Sequence, residues 1–134
     1  MSPKPEPILP SDAELAILRV LWKTGPASAK EIHEVLNAGR DAQRVVTTRA
    51  KLLQIMLEKK LVERDESTWP HSYQARVARR DVQRSVIKKT VADVFEKSAS
   101  QFILAALETG KPSAAELDEI KSLLQEYEAR QKKK

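Results

Sequence analysis

The sequence predicts a mainly α-helical fold carrying a small β-hairpin. Three observations carry that expectation. Aromatic residues make up 4% of the 134 positions while 41% are hydrophobic, a balance that suits aliphatic helix packing better than a β-sandwich. Prolines 3, 5, 7, 10, 26, 70 and 112 and glycines 25, 39 and 110 cut the chain into helix-length pieces, because proline breaks helices and glycine closes them. Three Ser-x-x-Glu pairs each precede an apolar run of helical period, the signature of a capped helix start.

Residues 1–10 read as a flexible, proline-rich arm. Ser11 and Glu14 then open ELAILRVLWK, which is apolar nearly all round its circumference and so predicts a helix buried on several sides, Trp22 included. Gly25-Pro26 ends it. Ser28 and Glu31 open AKEIHEVLNA, where Ile32, Val35 and Leu36 form one stripe; this helix lies at the surface with His33 exposed. A third helix covers 47–59. LVERDES and SYQARV follow as the strands of a hairpin, with Trp69-Pro70 in the turn, where proline is tolerated. Helices return over 79–97 and 99–108, and Ser113 with Glu116 opens a last one, AAELDEIKSLLQEYEARQ. Three helices followed by a hairpin is the order of a winged helix-turn-helix domain, here 11–78, with a three-helix domain over 79–134.

The third helix starts unusually, as VVTTRAKLLQIM. At about 100° per residue, Thr47, Lys51, Gln54 and Glu58 fall on one narrow side, opposite Leu52, Leu53, Met56 and Leu57. Thr48 and Ala50 flank the polar strip. A recognition helix presents such N-terminal residues to base edges in the major groove, and its first turn offers N–H groups to phosphate. Threonine hydroxyls cap or donate without bulk, Lys51 and Gln54 reach bases, and Ala50 can touch a thymine methyl. Arg40 and Arg44, in the loop before, are placed for phosphates, and Trp69 and His71 sit at the wing tip within reach of a groove or backbone. Arg49 breaks the pattern by projecting near the angle of Met56; it is expected to snorkel outward at the domain edge. A polar strip on a surface helix is most often simply solvated. The hairpin after it, the basic loop before it and a net charge of +5 add weight to the DNA reading.

Catalysis has little support. With no cysteine, disulfides, thiol chemistry and thiolate metal sites are excluded. His33 and His71 lie far apart, and no carboxylate pair, Ser/His/Asp set, glycine-rich loop or metal-ligand spacing stands out, so no cofactor or metal is expected. No apolar run reaches membrane-spanning length and MSPKPEPILP lacks a signal-peptide core, which predicts a cytoplasmic, nucleoid-associated protein without membrane insertion.

The C-terminal segment carries more apolar surface than it can bury alone. Val86, Val91, Val94 and Phe95 lie on its first helix, Phe102, Ile103, Leu104 and Leu107 on its second, and Leu117, Ile120, Leu124 and Tyr127 form a seam on its third. A homodimer would cover them and would present two recognition helices to successive major-groove turns of a palindrome. Charge is segregated as well: RVARRDVQRSVIKK is basic and could follow phosphates, while SAAELDEIKSLLQEYE leans acidic.

These residues resemble the penicillinase-repressor (BlaI/MecI) family of bacterial transcriptional regulators. The likeness lies in SDAELAILRVLWKTGPASAKEIHEVLN, VTTRAKLLQIMLEKKLVERDES, SYQARV and PSAAELDEIKSLLQE, which together span nearly all of the chain after the arm. It implies a winged helix joined to a helical dimerisation domain, a homodimer on double-stranded operator DNA, and repression of transcription. It also implies a membrane metalloprotease receptor that relieves repression. The chain departs from the family at Arg49, where an aliphatic residue is usual, and at Lys60, where glycine is usual. The rival reading is a winged-helix protein-interaction module without specific DNA binding.

Overall fold

A computed structural model describes residues 8–38 and 46–133, with the side-chain surroundings of all of these except 46–48. The helices are α1 (Asp12–Thr24), α2 (Ala29–Asn37), α3 (Val46–Glu58), α4 (Arg79–Val94), α5 (Ala99–Gly110) and α6 (Ala114–Lys132), and the strands are β1 (Ala27–Ser28), β2 (Val62–Asp65) and β3 (Ser72–Ala75). The mainly helical fold with a small β wing is therefore observed. The wing has one strand more than the sequence predicts: β1 pairs antiparallel with β3, Ala27 opposite Tyr73, giving the order β1-β3-β2. Two residues between a helix stop and a serine cap are too short to show any strand alternation. No helix among the described residues is long and apolar enough to cross a membrane.

The chain divides into two compact units, and the division falls inside α4, between Lys88 and Lys89. In the first unit Ile17, Leu18 and Leu21 of α1 pack with Ile32 of α2, Leu53 and Met56 of α3, and Leu61 and Val62 at the wing root. Each such buried side chain contributes about 1.5–3 kcal/mol. Val35 lies outside this core and is exposed, so α2 packs through Ile32 and the half-buried Leu36. Trp22 is half-buried at the core margin, and its indole Nε1 donates 2.9 Å to the Val77 carbonyl.

The first two helix starts carry complete capping boxes. At α1 the Ser11 N–H donates 2.8 Å to Glu14 Oε1 while the Glu14 N–H donates 3.2 Å to Ser11 Oγ. Ser28 and Glu31 repeat this at α2. At α6 half of the expected box forms: the Ser113 hydroxyl accepts from the Glu116 N–H, without the reciprocal bond from the Ser113 N–H to the Glu116 carboxylate. Ser98 caps α5, a start outside the Ser-x-x-Glu pattern because Gln101 occupies the third position.

Glu14 does more than cap. It is 1% exposed, and the Lys59 ammonium, just past the end of α3, sits 3.0–3.1 Å from its two carboxylate oxygens. Burial disfavours its charge, but the Ser11 backbone N–H, Lys59 and the Ser11 hydroxyl outweigh burial and hold the carboxyl below its ordinary 4.5. A carboxyl depressed by folding stabilises the fold above its unfolded pKa, and that contribution is lost as pH falls through the lower folded value. Thermal unfolding midpoints should therefore drop on acidification below about pH 4.5, and Glu14→Gln should flatten that drop. The variant should also lose about 1–2 kcal/mol at neutral pH, since a charge-assisted acceptor becomes a neutral one.

The end of α3 explains Lys60. Its N–H donates 3.1 Å to the Leu57 carbonyl and the Leu61 N–H donates 2.9 Å to the Met56 carbonyl, the paired bonds of a Schellman motif. That motif puts its closing residue in the left-handed region, and Lys60 has φ 64°. A side chain costs energy there and glycine does not. Lys60→Gly should raise the unfolding free energy by about 0.5–1 kcal/mol, read as a higher urea midpoint at unchanged slope.

The second unit is all helical. Phe95 and Phe102 meet edge to face with ring centroids 5.4 Å apart, and α4 stops at Val94, shorter than the expected 97, where Glu96 and Lys97 turn to positive φ. Among the described residues, none from Lys89 onward is buried.

Candidate nucleic-acid interface

The α3 helix displays the strip its sequence predicts. Ala50, Lys51, Gln54 and Glu58 are exposed, while Leu53 and Met56 are fully buried and Leu52 and Leu57 half-buried. Thr47 and Thr48 lie in the first turn of α3, but their side chains fall outside the described set. Arg40 and Arg44 lie outside the described residues altogether.

Arg49 does not snorkel outward. It is 2% exposed, and its Nη1 donates 2.9 Å to the His33 carbonyl and lies 3.3 Å from His33 Nδ1. A guanidinium has no acceptor, so the imidazole nitrogen takes that role. The helical period gave the direction of the side chain correctly; it pointed at Met56's side, which is the inside. What it could not give was a polar floor there. The α2 backbone and the half-buried His33 ring, expected exposed, supply one. The contact ties α3 to α2, and it holds the polar strip outward by fixing the opposite side of the helix inward. The signal was present in the sequence, as a lone arginine in an apolar stripe.

The wing presents a different chemistry. Trp69 is 84% exposed and meets the half-buried His71 ring edge on, centroids 4.8 Å apart. The strand before the tip is pinned locally. Asp65 accepts 2.9 Å from the Ser67 N–H and 2.6 Å from its hydroxyl, bonds that hold its carboxyl below the usual value. Arg64 is paired with Glu66, and Gln74 donates 2.8 Å to Glu63 across the strands. The sheet thus carries an aromatic tip on a base whose charges are largely satisfied.

The twelve apolar residues expected to dimerise divide by unit. Val86 is exposed on the first-unit part of α4. In the second unit Val94, Ile103, Leu104, Leu117, Leu124 and Tyr127 are exposed, and Val91, Phe95, Phe102, Leu107 and Ile120 are half-buried. In the second unit six of these large apolar side chains are thus exposed in the single chain.

A family model described as penicillinase repressor matches residues 10–126. A search of the curated proteins finds no match.

Proposed function

Because the chain belongs to the penicillinase-repressor family, whose members are transcriptional regulators and not enzymes, we propose that it represses transcription as a homodimer on palindromic operator DNA. The polar strip of α3 carries this reading. Lys51 and Gln54 are exposed on a helix whose opposite side is locked by Arg49, Leu53 and Met56, the arrangement a recognition helix needs. Thr47 and Thr48 serve the phosphates at its N-terminus, Ala50 permits close approach, and Arg40 and Arg44, a few positions earlier in the sequence, add backbone contacts. Trp69 and His71 reach the neighbouring groove or backbone from the wing.

In this reading residues 11–78 bind DNA and 79–134 dimerise. The absence of any buried residue from Lys89 onward among the described residues supports a second copy as the cover for α5 and α6. The family likeness extends the reading to a membrane metalloprotease receptor that relieves repression.

Footprinting on genomic fragments supplies the operator, and gel-shift titration then tests the mechanism. Lys51→Ala and Gln54→Ala should each weaken operator binding by about 1–3 kcal/mol while leaving affinity for random duplex nearly unchanged. Operator affinity that ignores both substitutions would remove α3 from the groove. A protein-interaction module is separated by salt: phosphate binding releases counterions and falls steeply with salt concentration, and docking to a protein does not.

A further inference from the structure

We propose that α4 is a second DNA-backbone contact, in which Arg80, Arg84 and Lys88 bind phosphates beside the sequence that α3 reads; this rests on the DNA-binding function above. All three side chains are exposed. Four-residue spacing lines them up on one side of the helix, each about 6 Å further along the axis. The buried Val82 marks the packed side, and Arg84 lies about 160° round from it.

The helix that carries this stripe is held firmly. Just before it, the Val77 carbonyl accepts the Trp22 indole N–H at 2.9 Å. The Arg79 guanidinium stacks over the same indole, 5.3 Å from the ring centroid. Nearly two turns further, Ser85 Oγ accepts the Ile8 N–H at 3.3 Å. These contacts and the stripe belong to the first compact unit, the one that contains α3. The cations therefore ride on the same body as the recognition helix.

Their charge is uncommitted. Among the described residues Lys59, Arg64 and Lys89 are taken by Glu14, Glu66 and Asp93, whereas Arg80, Arg84 and Lys88 form no ion pair. Asp81 borders the stripe without closing one. Regularly stepped, unpaired cations on a fixed helix match a regularly stepped polyanion. The competing anion is the acidic α6 of a second copy, and the same experiment distinguishes it.

The test is a salt titration of DNA affinity with the full chain. Replacing the three residues together (Arg80→Gln, Arg84→Gln, Lys88→Gln) should make the slope of log affinity against log salt shallower by about 2.7 for each protomer bound. The preference for operator over random duplex should stay as it was. Lys89→Gln, off the stripe and engaged by Asp93, should leave the slope unchanged. The unfolding midpoint of the triple variant should match the parent, and should it not fold, Arg84→Gln alone reads a step of about 0.9. A variant slope equal to the parent's overturns the proposal while the DNA-binding reading stands. A variant that changes its oligomeric state also overturns it, since the stripe then serves α6 of a second copy. A parent protein with no salt-dependent DNA affinity overturns the function itself.

Discussion

Arg49→Ala should lower the unfolding free energy by about 3–5 kcal/mol, the sum of a large core truncation and the loss of a charge-assisted bond to the His33 carbonyl. For a domain of this size that is a fall of about 15–30 °C in the thermal midpoint. Arg49 is 2% exposed, on the same side of α3 as Leu53 and Met56, with Nη1 on the His33 carbonyl. Arg49→Leu should recover much of the loss, because an apolar side chain refills the space and the carbonyl retains its helical partner. Circular dichroism melts of the two variants separate packing from hydrogen bonding. A midpoint within a few degrees of the parent for Arg49→Ala would mean that the contact does not hold α3. Operator affinity adds a second readout: if Arg49→Leu melts like the parent yet binds less tightly, the arginine sets the angle of the recognition helix.

The second large effect concerns assembly. Leu104 and Leu124 are 51% and 49% exposed in the single chain. On a monomer's surface such positions accept aspartate at a cost of about 0.5 kcal/mol or less. In a homodimer the same changes bury two charges per chain against an apolar partner. Leu104→Asp with Leu124→Asp should therefore give a monomer by analytical ultracentrifugation. It should also weaken operator binding by about 10²–10⁴-fold, the avidity of two linked half-sites. Affinity for a single half-site should be preserved. A parent that sediments as a single chain, or a double variant that remains dimeric, would contradict the assembly.

Much of the fold was legible because its signals are local. Capping boxes are pairs three residues apart, so Ser11 with Glu14 and Ser28 with Glu31 declared α1 and α2 from sequence and were found complete. The third pair declared α6 correctly although half its bonds are missing. Local bonding sets where a helix begins; whether a glutamate folds back depends on its surroundings. The α3 strip was legible for the same reason, since the helical period fixes which side chains share a side.

Contacts between distant residues were not legible. Nothing in Ala27-Ser28 announces a strand, which exists because Tyr73 and Ser72 lie alongside. Glu14 reads as a cap, and its bond to Lys59 appears only when the end of α3 meets the start of α1. Arg49 is the sharpest case. Its angle is a property of α3 alone, but its fate depends on a carbonyl sixteen residues earlier. A charge beside apolar neighbours goes to water unless the interior offers it an acceptor, and whether one is offered is decided by the packing of α2. The sequence by itself determined the helices, their order and the polar side of α3, because each depends on neighbours within about two turns. Tertiary structure alone decided which charges lie inside, because burying a charge depends on groups that the chain brings together only on folding.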